Sequence, residues 1–501
     1  MNFQKFLEHS GLDHNQYQAD GVKWCIEREH CQDQDQDQDQ DQYQDQDQDQ
    51  DQDQDTSQLP KYCNGGIIAD EMGLGKTIMM IGTIVANFKM PTLIILPVVL
   101  MEQWKEQFQR TTGHTPIIYH GQAKNSLTPN ELQKTPIILT SYGTVLADAR
   151  KDKKLQQVKW SRIICDEAHH LRNRRTKIAR VVNKLQTKTM WLISGTPIQN
   201  HINDLFSLFD ILKIPNKVYT DMSKLKDIMS TIVLKRTKKE VGIQLPDLHV
   251  NRIQSNWTNV NEQELTEDIH EKMAFSKVRN TSTSQFTDSG QKTPENPINR
   301  GAILSLMLYA RMMCVYPSLA QPHISKMKSC GYVNTETAED GIKYSSKMDS
   351  VIETVIARKD NNNRKIIFTN FRGEIDYLKQ MLTTAGLSTE SIDGRSTSKR
   401  MRQEILKKDL DVLILQIKMG NEGLNLQQYN EVYFVTPEWN PKMEEQAIAR
   451  CHRIGQTKQV HVFRFIMKSF DLEQKTSNIE MYTESIQENK NEISREIMCS
   501  N

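Results

Sequence analysis

The stretch GGIIADEMGLGKT, residues 65–77, constrains the fold of this chain more than any other part of the sequence. A short apolar run, residues 66–69, is followed by a glycine-rich turn and then by an apolar-periodic stretch, residues 78–88. This order predicts a strand, a loop and a helix. In such a loop, successive backbone N–H groups converge on an anion at the helix N-terminus.

The residue types in this loop suit a nucleoside triphosphate with Mg²⁺. Lys76 can reach the β and γ phosphates, and the Thr77 hydroxyl can bind Mg²⁺. We expect Asp70, Gly73 and Gly75 to complete the nucleotide-binding loop, although Asp70 stands where the usual phosphate-loop pattern has glycine. The alternative is a glycine turn before an ordinary helix, which a Gly-Lys-Thr sequence at a strand-to-helix junction disfavours.

Apolar strands alternate with helical segments in two parts of the chain. The predicted strands of the first part are residues 92–96, 116–119, 136–140, 162–165 and 190–193. In the second part we predict strands at residues 365–369, 388–392, 411–417, 431–435 and 460–466, and helices at residues 373–383, 399–408 and 442–454. The pattern predicts an α/β fold with two lobes, each a mostly parallel sheet with helices on both faces.

The predicted domain organisation follows from these patterns and from composition. It comprises a leading helical segment (1–31), an Asp-Gln repeat (32–58), a first lobe (59–235), a linking and helical insertion (236–300), a second lobe (301–475) and a polar tail (476–501). The repeat has almost no apolar side chain to bury and its carboxylates repel one another, which favours a disordered, solvated insertion.

Charge and composition narrow the class of protein. The formal net charge is +1, but without the eleven Asp of residues 33–55 the chain carries +12. A basic body suits a phosphate-binding surface, although a dispersed excess of Lys also serves solubility. The eight cysteines form no CxxC pair, and no apolar run has the length of a membrane span. We therefore expect neither a zinc finger nor a membrane partner.

Two adjacent carboxylates follow the predicted strand at residues 162–165. At the carboxyl end of a strand, Asp166 can hold Mg²⁺ directly or through water, and Glu167 can act as the general base that polarises an attacking water. Adjacent acids after an apolar strand also occur in ordinary loops. The presence of Lys76 and Thr77 earlier in the chain favours the catalytic interpretation.

A helix in the second part carries two arginines. Gln446, Arg450 and Arg453 are four and three residues apart, which places them on one face of the helix predicted at residues 442–454. The arginines could be ordinary solvated side chains. They could instead stabilise the charge that develops on a transferred phosphoryl group, which would couple ATP hydrolysis to motion of the lobes.

The order of the motifs resembles the Swi/Snf-type family of DNA-dependent ATPases, within the superfamily-two helicase-like proteins. The matching stretches are YQADGVKW (17–24), ADEMGLGKT (69–77), LIILPVVLMEQW (93–104), ILTSY (138–142), ICDEAHHLRN (164–173), LISGTPIQN (192–200), LKRTKKEVGIQLP (234–246), KIIFTNF (365–371), IDGRSTSKRMRQ (392–403), GNEGLNL (420–426) and EWNPKMEEQAIARCHRIGQ (438–456).

The resemblance implies two tandem RecA-like lobes, ATP and Mg²⁺ as cofactors, and double-stranded DNA as a partner. It assigns adenine binding to Gln18, and coupling of the nucleotide state to lobe closure to Ser194, Thr196 and Gln446. It also makes Arg450 and Arg453 catalytic together with Lys76 and Glu167. The residues it places near DNA are Pro97, Trp104, Thr140, Ser141, Tyr142, Asn370, Gly420, Asn425 and Trp439.

Three positions depart from the family pattern. Arg172 stands where lysine is usual, Asn421 where a second glycine is common, and Thr436 where an acid is common. Glycine permits a close approach that asparagine hinders, so the change at Asn421 bears on DNA coupling more than on ATP binding. No targeting module is recognisable. The hypothesis is a minimal translocase that comes from a large DNA virus and acts in the nucleus or in a viral replication compartment.

Three functions remain open at this point. The first is a translocase that moves along duplex DNA and displaces or remodels bound proteins. The second is a strand-separating helicase on DNA or RNA that acts with viral transcription machinery. The third is an ATP-binding interaction subunit without turnover, for which Asn421 is the one indication.

Overall fold

The computed structural model describes residues 6, 8, 15–30, 64–199, 201–273, 300–396, 398–420, 424–470 and 477–498. The Asp-Gln repeat and Asn421 lie outside the described residues. The chain divides into two compact units, Met1–Gln244 with Lys490–Asn501, and Leu245–Asn489. Among the helices that the structure describes, none combines the length and the apolar character needed to cross a bilayer.

The described strands of the first unit form one parallel sheet. They are β1 (Gly65–Ile68), β2 (Thr92–Leu96), β3 (Ile117–Tyr119), β4 (Ile137–Ser141), β5 (Trp160–Asp166), β6 (Thr187–Ile193) and β7 (Val233–Leu234). Their order is β3-β4-β2-β5-β6-β1-β7, and neighbouring strands run parallel. Every strand predicted for this part is present, with ends within three residues of the expected ones.

Helices cover both faces of this sheet. They span Gln16–His30, Lys76–Ala86, Met101–Thr112, Pro129–Lys134, Tyr142–Arg150, Lys177–Asn183, Ile202–Ile211, Asn216–Tyr219 and Met222–Ile232. Successive residues of a strand point to opposite faces. Ile67 and Ile163 accordingly belong to one buried cluster, and Ile68 and Ile164 to the other. Burial on both faces explains why these strands are continuous apolar runs rather than alternating ones.

The helix Gln16–His30 is fastened to this sheet by a buried ion pair. Arg162 in β5 donates from Nε to Glu29 Oε1 at 2.7 Å, and both side chains are fully buried. Trp191 Nε1 donates to the same carboxylate oxygen at 2.8 Å, and Arg28 Nε donates to the Gly65 carbonyl at 3.2 Å. The helix Gln16–His30 is therefore an integral part of the first unit.

The second unit has its own parallel sheet. Its described strands are β8 (Leu248–Ser255), β9 (Lys365–Thr369), β10 (Thr389–Ile392), β11 (Val412–Gln416), β12 (Glu431–Phe434) and β13 (Val460–Met467), in the order β10-β11-β9-β12-β13-β8. Its helices span Val260–Met273, Arg300–Val315, Ile324–Ser329, Thr335–Gly341, Ser346–Ala357, Arg372–Thr384, Lys399–Leu406, Ile417–Gly420, Pro441–Cys451 and Ile479–Met498, the last of which belongs to this unit as far as Asn489. Together the two units confirm the predicted α/β class with two parallel sheets.

Two elements of this unit differ from the sequence-based expectation. Strand β8 lies inside the predicted linking segment 236–300, and the helix Ile479–Met498 occupies the predicted polar tail. Strand β8 pairs with β13 at the edge of the sheet and most of its residues are exposed. An exposed edge strand does not require an apolar run, so the sequence LHVNRIQS gave no strand signal.

A buried ion pair anchors the start of that last helix. Lys347 Nζ donates to Glu480 Oε1, and both side chains are almost fully buried. Thr436, which stands where the resemblance expects an acid, donates its hydroxyl to the same oxygen at 2.8 Å. An acid from a different element thus lies beside Thr436, and its negative charge is balanced by Lys347.

We expect removal of the buried carboxylate at Glu29 to destabilise the first unit. Glu29→Ala leaves the Arg162 guanidinium buried without its partner, and such a loss costs about 3–5 kcal/mol. Urea-induced unfolding followed by tryptophan fluorescence measures the change. The matched control is Glu102→Ala, because Glu102 is 45% exposed and lies 3.8 Å from Lys105 in a surface pair. That control should change stability by about 0.5 kcal/mol or less; equal effects of the two variants would contradict the prediction.

The second unit contains a carboxyl group whose titration should affect stability. Burial raises the pKa of Glu374 to about 7, although the Phe371 N–H donates to its carboxylate at 3.0 Å. The folded state therefore keeps a proton that the unfolded chain releases near its usual pKa, so the free energy of unfolding falls as pH rises from about 4.5 to 7. Glu374→Gln should lack the contribution of this carboxyl group to the fall.

Unfolding measured at pH 5 and at pH 8 tests the expectation for Glu374→Gln. Relative to the wild-type protein, the variant should gain about 1–3 kcal/mol at pH 8 and little at pH 5. A gain that is the same at both pH values would show that the carboxyl group is not responsible.

Candidate nucleotide-binding site

Three neighbouring strands end side by side at one edge of the first sheet. Asp166 at the end of β5 is in register with Ile193 of β6, and Ile193 is in register with Ile68 of β1. Adjacent strands lie about 4.8 Å apart. The segments that follow these strands are therefore close in space, although they lie far apart in the sequence. This edge collects the residues predicted to bind and hydrolyse a nucleotide.

The loop after β1 has the geometry of an anion-binding turn. Gly73 has φ 95° and Gly75 has φ 80°, a left-handed conformation that glycine adopts without strain. Gly75 directly precedes the helix Lys76–Ala86, whose first turn has no side-chain cap. The backbone N–H groups of that turn lack intrahelical partners and can bind phosphate oxygens. Lys76 Nζ donates to the carbonyls of Asp70 at 2.8 Å and Glu71 at 3.3 Å.

Gln18 lies against this loop and presents a buried acceptor. Its Nε2 donates to the Leu74 carbonyl at 3.0 Å and to the Tyr17 hydroxyl at 3.1 Å. Its Oε1 is buried and accepts no hydrogen bond from the described residues. A buried carbonyl oxygen without a donor is costly, and the exocyclic amine of adenine would satisfy it. The residues present therefore fit ATP at this edge.

The carboxylates after β5 occupy a constrained position. Asp166 Oδ2 accepts from Trp104 Nε1 at 2.7 Å, and Oδ1 accepts from the Glu167 N–H at 2.9 Å. Burial, assisted by the neighbouring Glu167 carboxylate, raises the pKa of Asp166 to about 6, against the opposing influence of Trp104 and of the Lys76 ammonium. The loop that leads to Lys76 follows β1 and the Asp166 carboxylate ends β5, so both lie at this edge of the sheet.

Glu167 has a strained backbone. Its φ is 49°, a left-handed conformation that costs a residue with a side chain about 1–3 kcal/mol. Its Oε2 lies 3.1 Å from Nδ1 of His169. This conformation holds the carboxylate in a partly exposed position next to Asp166, where a water molecule can reach it.

A chain of hydrogen bonds joins the segments after β5 and β6. Arg172 Nη1 donates to Gln199 Oε1, and Gln199 Nε2 donates to Thr196 Oγ1 at 3.3 Å. The Thr196 N–H donates to Ser194 Oγ at 3.2 Å. Ser194 and Thr196, predicted to couple the nucleotide state to lobe closure, thus connect to Arg172 through Gln199. Gln199 lies in the stretch LISGTPIQN (192–200), and the local sequence predicts no separate role for it.

The structure gives Asp70 a different role from the predicted one. Its side chain is fully buried, and both carboxylate oxygens accept hydrogen bonds from Arg236. The carboxylate is therefore committed to an ion pair, and the Asp70 carbonyl, not its side chain, contacts Lys76. Neither the role of Asp70 nor the importance of Arg236 was visible in the local sequence.

Four residues predicted to contact DNA have buried side chains. They are Trp104, Thr140, Ser141 and Tyr142. The Trp104 indole and the Tyr142 hydroxyl both support Asp166, the hydroxyl by donating to its carbonyl at 2.7 Å. Ser141 caps the helix Tyr142–Arg150. These side chains position the carboxyl ends of the strands, and the structure does not present them to a ligand as large as DNA. Pro97 is partly exposed at the end of β2.

The predicted site residues of the second unit lie on several of its elements. Gln446 is buried on the helix Pro441–Cys451, and Arg450 is partly buried near its end. This helix stops at Cys451, so the prediction that Arg453 shares its face was wrong. Arg453 is a partly buried residue of the following turn, in which the Gln456 N–H donates to its carbonyl at 2.9 Å.

The remaining predicted DNA contacts of this unit differ in exposure. Asn425 is exposed and Asn370 is partly buried. Gly420 ends the helix Ile417–Gly420. Trp439 is partly buried and packs edge-on against Tyr482, with ring centroids 6.4 Å apart. Asn425 is thus the most accessible of the three side chains, those of Asn370, Asn425 and Trp439.

We expect Gly75→Ala to weaken nucleotide binding beyond its effect on stability. An added Cβ would lie 2.3 Å from Gln18 Nε2, at a residue with positive φ. Gly113→Ala is the matched control, because Gly113 also has a positive φ (71°) but nothing lies within 4 Å of an added Cβ. Both variants should lose about 1–2 kcal/mol of stability. Only Gly75→Ala should lose affinity for a fluorescent ATP analogue, measured by titration; equal losses would contradict the assignment.

Comparison with known proteins agrees with this geometry. The SNF2-related domain model matches residues 17–221, and the helicase conserved C-terminal domain model matches residues 346–455. The chain is 29% identical over 492 residues to an uncharacterized ATP-dependent helicase, MG018, of Mycoplasma genitalium, covering 92% of this chain and 41% of that protein. It is 27% identical over 445 residues to the ATP-dependent DNA helicase DDM1 of Arabidopsis thaliana, covering 80% and 56%.

A solved structure shows the same fold. The helicase domain of Pyrococcus furiosus Hef aligns with a TM-score of 0.51 at 17% identity, covering 84% of this chain and 94% of that one. The chain spans about half the length of the two curated relatives. The two matched domain models cover more than half of the chain, in the order predicted from its motifs. The chain belongs to the SWI2/SNF2-type family of helicase-like proteins, with two RecA-like lobes.

Proposed function

We propose that this protein is an ATP-dependent DNA translocase, which hydrolyses ATP in response to duplex DNA, moves along it, and displaces or remodels bound proteins. The observation that carries the proposal is the strand edge at which Lys76, Asp166 and Glu167 meet. Both relatives described above are named ATP-dependent helicases, and one of them is named a DNA helicase. These names support ATP and DNA as the ligands of this chain.

The residues of the first unit would divide the chemistry among them. The helix N-terminus after Gly75 and the Lys76 ammonium would bind the phosphates, and Gln18 Oε1 would accept from the adenine amine. Thr77 and Asp166 would hold Mg²⁺, which supplies positive charge that stabilises the transferred phosphoryl group. Glu167 would take the proton from the attacking water.

Two arginines of the second unit would supply positive charge for the hydrolysis step. The resemblance assigns Arg450 and Arg453 to the charge that develops on the phosphoryl group, and the second of them lies in a turn rather than on the helix. A turn can change its backbone angles more readily than a helix. DNA contact, the proteins acted upon and the nuclear or viral compartment stay predictions, as does a viral origin.

A steady-state ATPase assay with and without duplex DNA tests the proposal. Duplex DNA should raise the rate of hydrolysis, and equal rates would contradict a DNA-driven motor. Glu167→Gln should lower kcat by about 10²-fold or more, because general-base catalysis contributes about 10²–10⁴-fold. It should still bind a fluorescent ATP analogue. The control Glu102→Gln, on a surface helix, should keep the wild-type rate.

An unwinding assay with tailed duplexes separates the two enzymatic alternatives. A translocase should leave the strands paired, whereas strand separation would favour the helicase hypothesis. ATP binding without turnover, with or without DNA, would favour an interaction subunit.

A further inference from the structure

The segment after β7 continues beside the phosphate loop. Strand β7 pairs with β1, with Ile68 opposite Leu234. Beyond the strands, the Ala69 N–H donates to the Leu234 carbonyl at 2.7 Å, and the Glu71 N–H donates to the Arg236 carbonyl at 2.9 Å. The backbone pairing therefore extends into the loop, and it brings Arg236 next to the residues that precede Lys76.

The planar guanidinium of Arg236 binds the loop through two parallel hydrogen bonds to Asp70. Nε donates to Asp70 Oδ1 at 3.1 Å, and Nη2 donates to Oδ2 at 2.6 Å. The Asp70 side chain is fully buried and that of Arg236 is 18% exposed. Bidentate pairing of this kind fixes orientation as well as distance, which a lysine ammonium cannot do.

The same guanidinium also holds the segment that carries Gln18. Arg236 Nη1 donates to the Tyr17 carbonyl, and its Cζ lies 5.6 Å from the centroid of the Tyr17 ring. Tyr17 directly precedes Gln18, and the Tyr17 hydroxyl accepts from Gln18 Nε2 at 3.1 Å. One side chain thus contacts both the phosphate loop and the backbone next to the predicted adenine ligand.

A glycine makes room for this arrangement. A Cβ on Gly21 would lie 2.9 Å from Arg236 Nη2 and 2.6 Å from Met79 Sδ. Gly21 lies within the helix Gln16–His30, where alanine is the better helix former. Glycine at this position therefore lowers the stability of the helix but leaves the space that the Arg236 guanidinium occupies.

We propose that Arg236 is a positioning residue that fixes Gln18 relative to the phosphate loop, and that it thereby sets the affinity and base selectivity of nucleotide binding. The inference rests on the proposed function, since it takes ATP as the ligand. A site that holds its base-reading and phosphate-binding parts at a fixed separation loses less entropy on binding. In this role Arg236 contacts neither the adenine base nor the phosphates, and it acts through Gln18 and the phosphate loop.

The test compares equilibrium binding of fluorescent ATP and GTP analogues by the full chain, with Mg²⁺ and without DNA. Three variants are compared. Arg236→Lys keeps the positive charge but cannot form the bidentate pair with Asp70, and Arg236→Ala removes both. Gly21→Ala places a methyl group against the guanidinium. The control is Lys239→Ala, because Lys239 is an exposed cation of the same segment. Thermal unfolding of each variant is measured in parallel.

Arg236→Lys should weaken ATP binding by about tenfold, the range expected when charge-assisted hydrogen bonds are lost. GTP binding should change much less, because Gln18 is matched to adenine, so the preference for ATP shrinks. Gly21→Ala should shift the preference in the same direction even though it favours the helix. Lys239→Ala should leave both affinities unchanged.

Three results would overturn the inference. The first is an unchanged preference for ATP in Arg236→Lys. The second is a set of variants that lose thermal stability while the ratio of their ATP and GTP affinities stays at the wild-type value. The third is equal binding of ATP and GTP by the wild-type protein. Failure of this inference is distinguishable from failure of the proposed function, since wild-type protein that binds ATP but shows no DNA-stimulated hydrolysis would refute the motor and still allow the comparison of nucleotides.

Discussion

The register of three parallel strands is the constraint on which the nucleotide site depends. Asp166, Ile193 and Ile68 are in register across β5, β6 and β1, so the segments that follow them emerge at one edge. Backbone hydrogen bonds fix this register, and a shift by one residue would exchange every side chain between two differently packed buried clusters. The phosphate loop and the acidic pair are close because the sheet places them so.

Buried charges fasten further parts of the chain to this sheet. The Glu29–Arg162 pair attaches the first helix, and the Asp70–Arg236 pair attaches the segment that follows β7. A buried pair contributes little net stability compared with apolar packing, but it strongly disfavours arrangements that leave one partner unpaired. Both pairs therefore act mainly on specificity, by allowing one placement of the helix that carries Gln18 beside the loop.

Trp104 and Tyr142 show that a family motif does not by itself reveal what its side chains contact. Trp104 and Tyr142 belong to stretches that resemble the family, yet each bonds to Asp166 from the interior. An aromatic residue with a polar tip buries its ring and needs one partner for its N–H or O–H. Sequence alone gives no means of telling whether that partner is a nucleic acid or a neighbouring strand.

The sequence by itself determined the two sets of alternating strands and helices, the phosphate loop around Lys76 and the acidic pair at Asp166. These are local patterns of apolar periodicity, glycine and charge, which the chain encodes over short distances. Only the tertiary structure decided that Asp70 pairs with Arg236, that β8 joins the second sheet, and that Arg453 lies beyond its helix. The first two depend on contacts between residues more than 160 positions apart, and the third on where helical hydrogen bonding stops, which periodicity locates only to within a turn.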